Sequence, residues 1–255
     1  MKRLFLLVGV LVSLAAAHVV FGQTTGVINY EVKINLHRNI PKEREAQKAM
    51  IPEFRTMKQQ LFFNESESLY KPVIEDEEEN FTATGGGVRM MFRMPGTELY
   101  LDQNTGKTIS KQELMGKNYL IEDSVKMSPW KFGTQTKMIA NYECNMAYYT
   151  QTDTIKVGDR EPIIRTSEIT AWYTNKIRPF LGPERFNTLP GAVLAVDINN
   201  GERVILAKTI ELRELKKNEL KAPATGTKIT QAEFRKIMEE QMKQMGGGRQ
   251  MMIRN

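Results

Sequence analysis

Side chains along much of this chain alternate between apolar and polar with a period of two, and that pattern argues for a sheet. Residues 27–36 set Ile28, Tyr30, Val32, Ile34 and Leu36 against Asn29, Glu31, Lys33 and Asn35. Residues 138–150 group Ala140, Tyr142, Cys144, Met146 and Tyr148 opposite Asn141, Glu143 and Asn145, and residues 168–174, 192–198 and 203–212 also read as strands. Successive side chains of a strand point to opposite faces, so each stretch predicts a strand with one face buried. Asn104-Thr105-Gly106 and Asn199-Asn200-Gly201 place residues that tolerate positive φ where tight hairpins need them. The expected fold is mainly β: a large antiparallel meander forming a curved sheet, half-barrel or open barrel, because a sheet this wide curls or splits.

Two segments depart from the alternation. Residues 41–58 open with Pro41 and predict a short helix over Glu43–Met50 before Pro52. Residues 213–229 are polar, hold Pro223 and Gly226, and read as a linker. Thr230-Gln231-Ala232-Glu233 then has the form of a capping box, in which hydroxyl and carboxylate each satisfy the other residue's backbone N–H. Phe234, Ile237, Met238, Met242 and Met245 follow at helical spacing, and Gly246-Gly247-Gly248 is expected to end this short C-terminal amphipathic helix.

The N-terminus supplies the other constraint. Lys2-Arg3 precedes an apolar run from Leu4 to Ala17, the form of a secretory signal peptide and too short for a spanning helix. Cleavage after Gly22 or after Ala17 fits, and no cysteine near either site offers a lipoprotein anchor. The expected organisation is a signal peptide at 1–22, a β domain at 23–212, a linker at 213–229 and a basic, Met-rich helical tail at 230–255, with a periplasmic location. Of the formal charge of +6, the tail region 216–255 carries a net +5, from nine Lys/Arg and four Glu. A basic amphipathic helix of this kind predicts weak contact with an anionic membrane surface or an acidic partner. Nucleic acid is not an expected partner of an exported chain whose folded body is near neutral.

A series of motifs runs from 130 to 212. Trp130 precedes Ile139-Ala140-Asn141-Tyr142-Glu143-Cys144-Asn145-Met146-Ala147; then come Ala171-Trp172-Tyr173-Thr174, Ile177, Gly182-Pro183, Phe186 and Leu189-Pro190-Gly191-Ala192-Val193-Leu194. In order and spacing the series resembles the GLPGLI family of exported proteins from Bacteroidetes-type bacteria, with a likeness extending over 27–212. The naming motif itself departs, reading Thr188-Leu189-Pro190-Gly191-Ala192-Val193. The resemblance implies an exported, β-rich protein and carries no assigned activity.

Several groups are candidates for chemistry. Cys144, the only cysteine, is either a reactive thiol or a small core side chain; nothing cationic adjoins it in sequence, and free cysteine favours burial, so core is expected. Trp172, Tyr173, Phe180, Pro183, Phe186, Leu189, Pro190 and Gly191 are the candidate ligand- or partner-binding set, since loops on a rigid sheet carry function. The alternative for the 180–191 segment is a structural connection whose Phe186 and Leu189 plug the open end of the sheet. Met238, Met242 and Met245 offer thioethers suited to Cu(I), or simply a packing stripe. Glu75–Glu79 lacks the ligand spacing and central glycine of a calcium loop, and Gly85-Gly86-Gly87 lacks a phosphate-loop context, so these read as an acidic loop and a hinge.

Enzyme parts are sparse. His37 is the only histidine beyond the signal and is expected to face outward at the end of the first strand, which leaves nucleophilic triads without a base. The expectation is a non-enzymatic periplasmic or cell-envelope protein that binds a lipophilic ligand or an outer-membrane or periplasmic protein. Copper handling by the tail and hydrolysis by paired carboxylates are the alternatives.

Overall fold

In the computed structural model, which describes residues 24–73, 82–85, 88–91, 97–155 and 161–251 (backbone only over 82–91 and 242–251), one large sheet organises the chain. Its strands are β1 (Gly26–Asn35), β2 (Phe54–Phe63), β3 (Glu67–Pro72), β6 (Glu98–Asp102), β7 (Lys107–Leu114), β8 (Lys117–Ser124) and β9 (Lys131–Ile139). The sheet is completed by β10 (Tyr142–Ile155), β11 (Ile163–Thr174), β12 (Ala192–Ile198), β13 (Arg203–Leu212) and β14 (Thr227–Thr230). β4 (Thr82–Gly85) and β5 (Val88–Met91) pair only with each other, and helix α1 spans Gln231–Met251. Across the twelve-stranded sheet the order is β14-β8-β7-β6-β3-β2-β1-β13-β12-β11-β10-β9, antiparallel throughout except for β14 on β8.

The sheet is open yet strongly curled. β8 and β9 stand ten strand spacings apart in that order, roughly 48 Å if the sheet were flat. Residues 125–130 alone connect them, a stretch that reaches at most about 25 Å when fully extended. The two ends of the sheet must therefore face each other. The pleat sends Ile28, Tyr30 and Val32 of β1, Leu61 and Phe63 of β2, and Ile205 and Ala207 of β13 into one interior, where all are buried.

β13 and β14 run in the same direction, so residues 213–226 must cross the sheet between them. The crossover is pinned at its start, where the Arg213 N–H donates to Thr25 O at 3.2 Å and its guanidinium grips Glu219 through two bonds of 2.8 Å. Val27, Phe62, Leu69 and Leu120 are buried on the face opposite Tyr30, so the outer surface over these strands is also covered.

Strands 192–198 and 203–212 and both Asn-Gly hairpins form where the alternation places them; Asn199, Asn200 and Gly201 adopt φ of 54°, 50° and 90°. Other expectations need correction. The stretch read as one strand over 138–150 is broken by a tight turn at Ala140-Asn141, both at positive φ, which separates β9 from β10. Register between these strands shifts between Asn145 and Ala147, so Cys144 is followed inward by Ala147 and Tyr149, while Tyr148 is exposed. Gly133 sits within the irregularity, where a Cβ would lie 2.4 Å from the terminal methyl of Met146, a contact that flexible side chain can relieve. His37 sits in a 3-10 turn over Leu36–Asn39, capped by the Asn35 side chain, and its Nε2 lies 2.7 Å from Ile51 O, half-buried instead of facing out. The segment Lys42–Met50 is 3-10 with a kink at Arg44.

The supposed linker ends in β14, and the helix does not stop at the glycines but continues through Gly246-Gly247-Gly248 to Met251. The capping box forms as expected: Thr230 N donates to Glu233 Oε2 at 2.7 Å, and Glu233 N to Thr230 Oγ1 at 3.2 Å. Phe234 anchors the helix, 3% exposed and edge-on to Tyr119 at 5.6 Å. The proposed signal at 1–22 and the acidic run at 75–79 lie outside the described residues, as do Gly86 and Gly87. Among the described residues, no helix is long and apolar enough to cross a membrane.

Candidate functional site

The segment between β11 and β12 leaves the sheet and folds back into its interior. Phe180 N donates to Leu189 O at 3.0 Å, Phe186 N to Pro183 O at 3.0 Å, and Val193 N to Leu181 O at 2.8 Å. Leu181, Phe186 and Leu189 are fully buried, each stabilising the fold by about 1.5–3 kcal/mol through removal from water. The glycines are dictated by close approach: a Cβ on Gly182 would fall 2.0 Å from Phe186 O, and one on Gly191 would fall 2.2 Å from Thr174 O.

Polar groups tie this plug across the sheet. Arg178 donates to Gln103 Oε1 at 2.6 Å and to Glu67 O at 2.9 Å, and burial pulls its guanidinium pKa down to about 10. Glu184, at a φ of 51°, takes both terminal nitrogens of Arg203, one of them at 2.9 Å. Burial opposes the charge on Arg203, but the paired carboxylate more than offsets this and raises its pKa. Burial, reinforced by Glu184, keeps the neighbouring Tyr70 phenol protonated far into alkaline pH. The Trp130 indole donates to Thr188 Oγ1 at 2.9 Å.

Beside the plug, at the seam between the two ends of the sheet, lies an open cleft of about 610 Å³. One wall is the inner face of β7 and β8, presenting Thr108, Ser110, Gln112, Ile121 and Asp123. The facing wall is β10, with Tyr149, Thr150 and Gln151. Residues 125–129 bridge the seam, Arg185 and Asn187 enter from the plug, and Gln231 and Arg235 enter from α1. Among the described residues, Asp123 is the only carboxylate in the lining. Its bond to Lys126 at 2.8 Å, with a second from Ser124 N, holds its pKa below the usual range, so it is ionised at neutral pH.

The sequence candidates divide by position. Tyr173, Pro183, Phe186, Leu189 and Gly191 are buried in the interior; Phe180 is half-buried and Pro190 is exposed. Trp172 is half-buried, with the Lys137 ammonium 5.7 Å from its ring centre. These eight residues shape the plug and its strand, and the cleft draws on none of them. What it takes from the same loop is Arg185 and Asn187. Thr108, Ser110 and Gln112 are alternate residues of one strand, but Lys107, Ile109, Lys111 and Glu113 between them are mostly polar too, so no alternation signalled this face. Cys144 is fully buried in the core, and burial pushes its thiol pKa up to about 11. Met238 is half-buried on α1, and the side chains of Met242 and Met245 lie outside those described. Among the described residues, no cluster of three or more His, Cys, Asp or Glu is placed to hold a metal.

A curled, open twelve-stranded sheet with a plugged interior and a cleft at its seam is thus the class of protein the chain forms. Residues 130–195, the stretch from Trp130 through β9, β10, β11 and the plug into β12, match the model of a family described as protein of unknown function (Porph_ging). Among curated proteins none matches the chain. Solved structures of PNGF-II in two crystal forms, P21 and C2, are similar in fold, with TM-scores of 0.54 and 0.51 over 84% and 86% of this chain. Identity is 14% and 15%, so the likeness is one of fold, and the chain spans about a third of that protein's length, 33% and 32%.

Proposed function

We propose that this chain is a non-enzymatic binding protein of the cell envelope, of the GLPGLI type, whose seam cleft receives an extended segment of an outer-membrane or periplasmic protein. The observation that carries this reading is the cleft, a concavity built by strands, loop and helix far apart in sequence, with hydroxyl and amide groups on rigid strands. Its size falls within the usual range for binding clefts, about 300–1,000 Å³. Leu99, Ile121 and Met127 give it an apolar component, while Thr108, Ser110, Gln112 and Gln151 match the donors and acceptors of a peptide backbone. That mixture suits a polypeptide better than a purely lipophilic ligand. The exported location rests on the basic and apolar pattern of residues 1–22.

A photo-crosslinking amino acid in place of Ser110 or Gln151 tests the reading in the envelope of the host. The expected result is a discrete adduct from both positions and none from the outer-face position Lys111. Equal adducts from all three, or none from any, would reject it.

A further inference from the structure

Resting on that cleft reading, we propose that the occupant is acidic, a peptide segment whose carboxylates are held between Arg185 of the plug and Arg235 of α1.

Among the described residues, the lining carries three cations, Lys126, Arg185 and Arg235, and one carboxylate, Asp123. Lys126 and Asp123 satisfy each other at 2.8 Å. Arg185 and Arg235 have no carboxylate partner among the described residues, so the lining retains two unpaired positive charges. Both side chains are exposed and free to reach a ligand, and the guanidinium fork matches a carboxylate in bidentate geometry.

Both cations stand on anchored backbone. Arg185 lies between the ion-paired Glu184 and the buried Phe186, with its guanidinium 5.3 Å over the Phe186 ring, and Asn187 Nδ2 bonds back to Glu184 O at 3.3 Å. Arg235 follows Phe234, whose ring packs on Tyr119 of β8, one turn after the Thr230–Glu233 capping box. The clamp thus joins a residue of the plug to one of the C-terminal helix, and the tail becomes part of the site instead of an appendage. Hydroxyls of Thr108 and Ser110 and the amide of Gln231 lie in the same lining to meet backbone groups of the bound segment.

The test measures fluorescence anisotropy of labelled decaglutamate and decaglutamine with the full chain at low salt. Arg185→Gln and Arg235→Gln are each expected to weaken decaglutamate binding about tenfold, a typical loss for a charge-assisted bond. Lys216→Gln/Lys217→Gln/Lys221→Gln, which removes charge outside the cleft, is expected to leave binding unchanged. The proposal is overturned if the two arginine variants bind normally, or if the triple lysine variant loses as much. Displacement by sub-millimolar inorganic phosphate would also overturn it, since a free anion would then be the occupant. Tight decaglutamine binding that still crosslinks at Ser110 would overturn the acidic occupant while leaving the cleft reading intact. Failure of both peptides together with failure of the crosslinking would remove both.

Discussion

Trp130 and Thr188 are joined by an indole-to-hydroxyl hydrogen bond of 2.9 Å across 58 residues of chain. The bond ties the entry of edge strand β9 to the loop that fills the interior, and the Trp130 ring also stands edge-on to Tyr149 at 4.6 Å. Trp130→Phe keeps an aromatic ring but loses the donor and the indole's second ring, with an expected cost of about 1 kcal/mol or more; Trp130→Ala should cost more, about 2–3 kcal/mol for this half-buried ring. Thr188→Val removes the same bond from the other side. In urea titrations the double variant Trp130→Phe/Thr188→Val should therefore lose less than the sum of the singles.

Gly182 and Gly191 differ from Gly106 in what surrounds them. Alanine at either of the first two meets a backbone oxygen at close to 2 Å and should destabilise by about 3 kcal/mol or more. Gly106 has φ of +65° and open space, so alanine there costs only the left-handed conformation, about 1 kcal/mol. Thermal melting of Gly182→Ala, Gly191→Ala and Gly106→Ala should rank in that order of severity, with the first two close together.

Cys144 is expected to resist thiol reagents in the folded protein. Its pKa of about 11 leaves almost no thiolate at neutral pH, and its side chain is fully buried. Labelling monitored by mass should follow unfolding, rising sharply only in denaturant. Because the folded pKa is raised, this group's contribution is intact below the ordinary value of 9.0 and declines as pH climbs towards about 11. Cys144→Ala should flatten that alkaline decline.

Glu219 should titrate with a midpoint near 2 by NMR, displaced from the ordinary 4.5 chiefly by its bond to Arg213. Because the folded value is depressed, its contribution is present above pH 4.5 and is lost as pH falls towards 2. Glu219→Gln should remove that part of the acid sensitivity and increase hydrogen exchange in 213–226. An unchanged acid profile would show that the crossover is held by other contacts.

The position of many strands was legible, but their inward face not always. Ile28, Tyr30 and Val32 are buried as the alternation of 27–36 places them. By contrast, Val204, Leu206, Ile210 and Leu212 alternate in sequence, yet Ile205 and Ala207 face the interior, and residues 192–196 are buried on both faces. The Ala140-Asn141 turn was not legible, since alanine at φ 47° carries none of the glycine signal by which hairpins are read. The phase change between Cys144 and Ala147 was hidden for a related reason: an irregular register belongs to two strands together, and no single stretch displays it. In the plug, Pro and Gly announced turns correctly, but only the Phe186 and Thr174 carbonyls explain why Gly182 and Gly191 must lack a Cβ. The cleft had no local signal at all, since Ser110-Lys111-Gln112-Glu113 is polar on both faces of its strand.

What the sequence determined by itself was local. Strand sterics send alternate side chains to opposite faces, Asn-Gly supplies positive φ, and Thr230 with Glu233 closes a helix end; each acts over a few residues. The curl of the sheet was decided in three dimensions, because six residues between β8 and β9 force ends that would otherwise lie far apart to face each other. Only that closure brings Ser110, Gln151, Arg185 and Arg235 to one cleft, since side chains so distant along the chain meet through packing and not through any local preference.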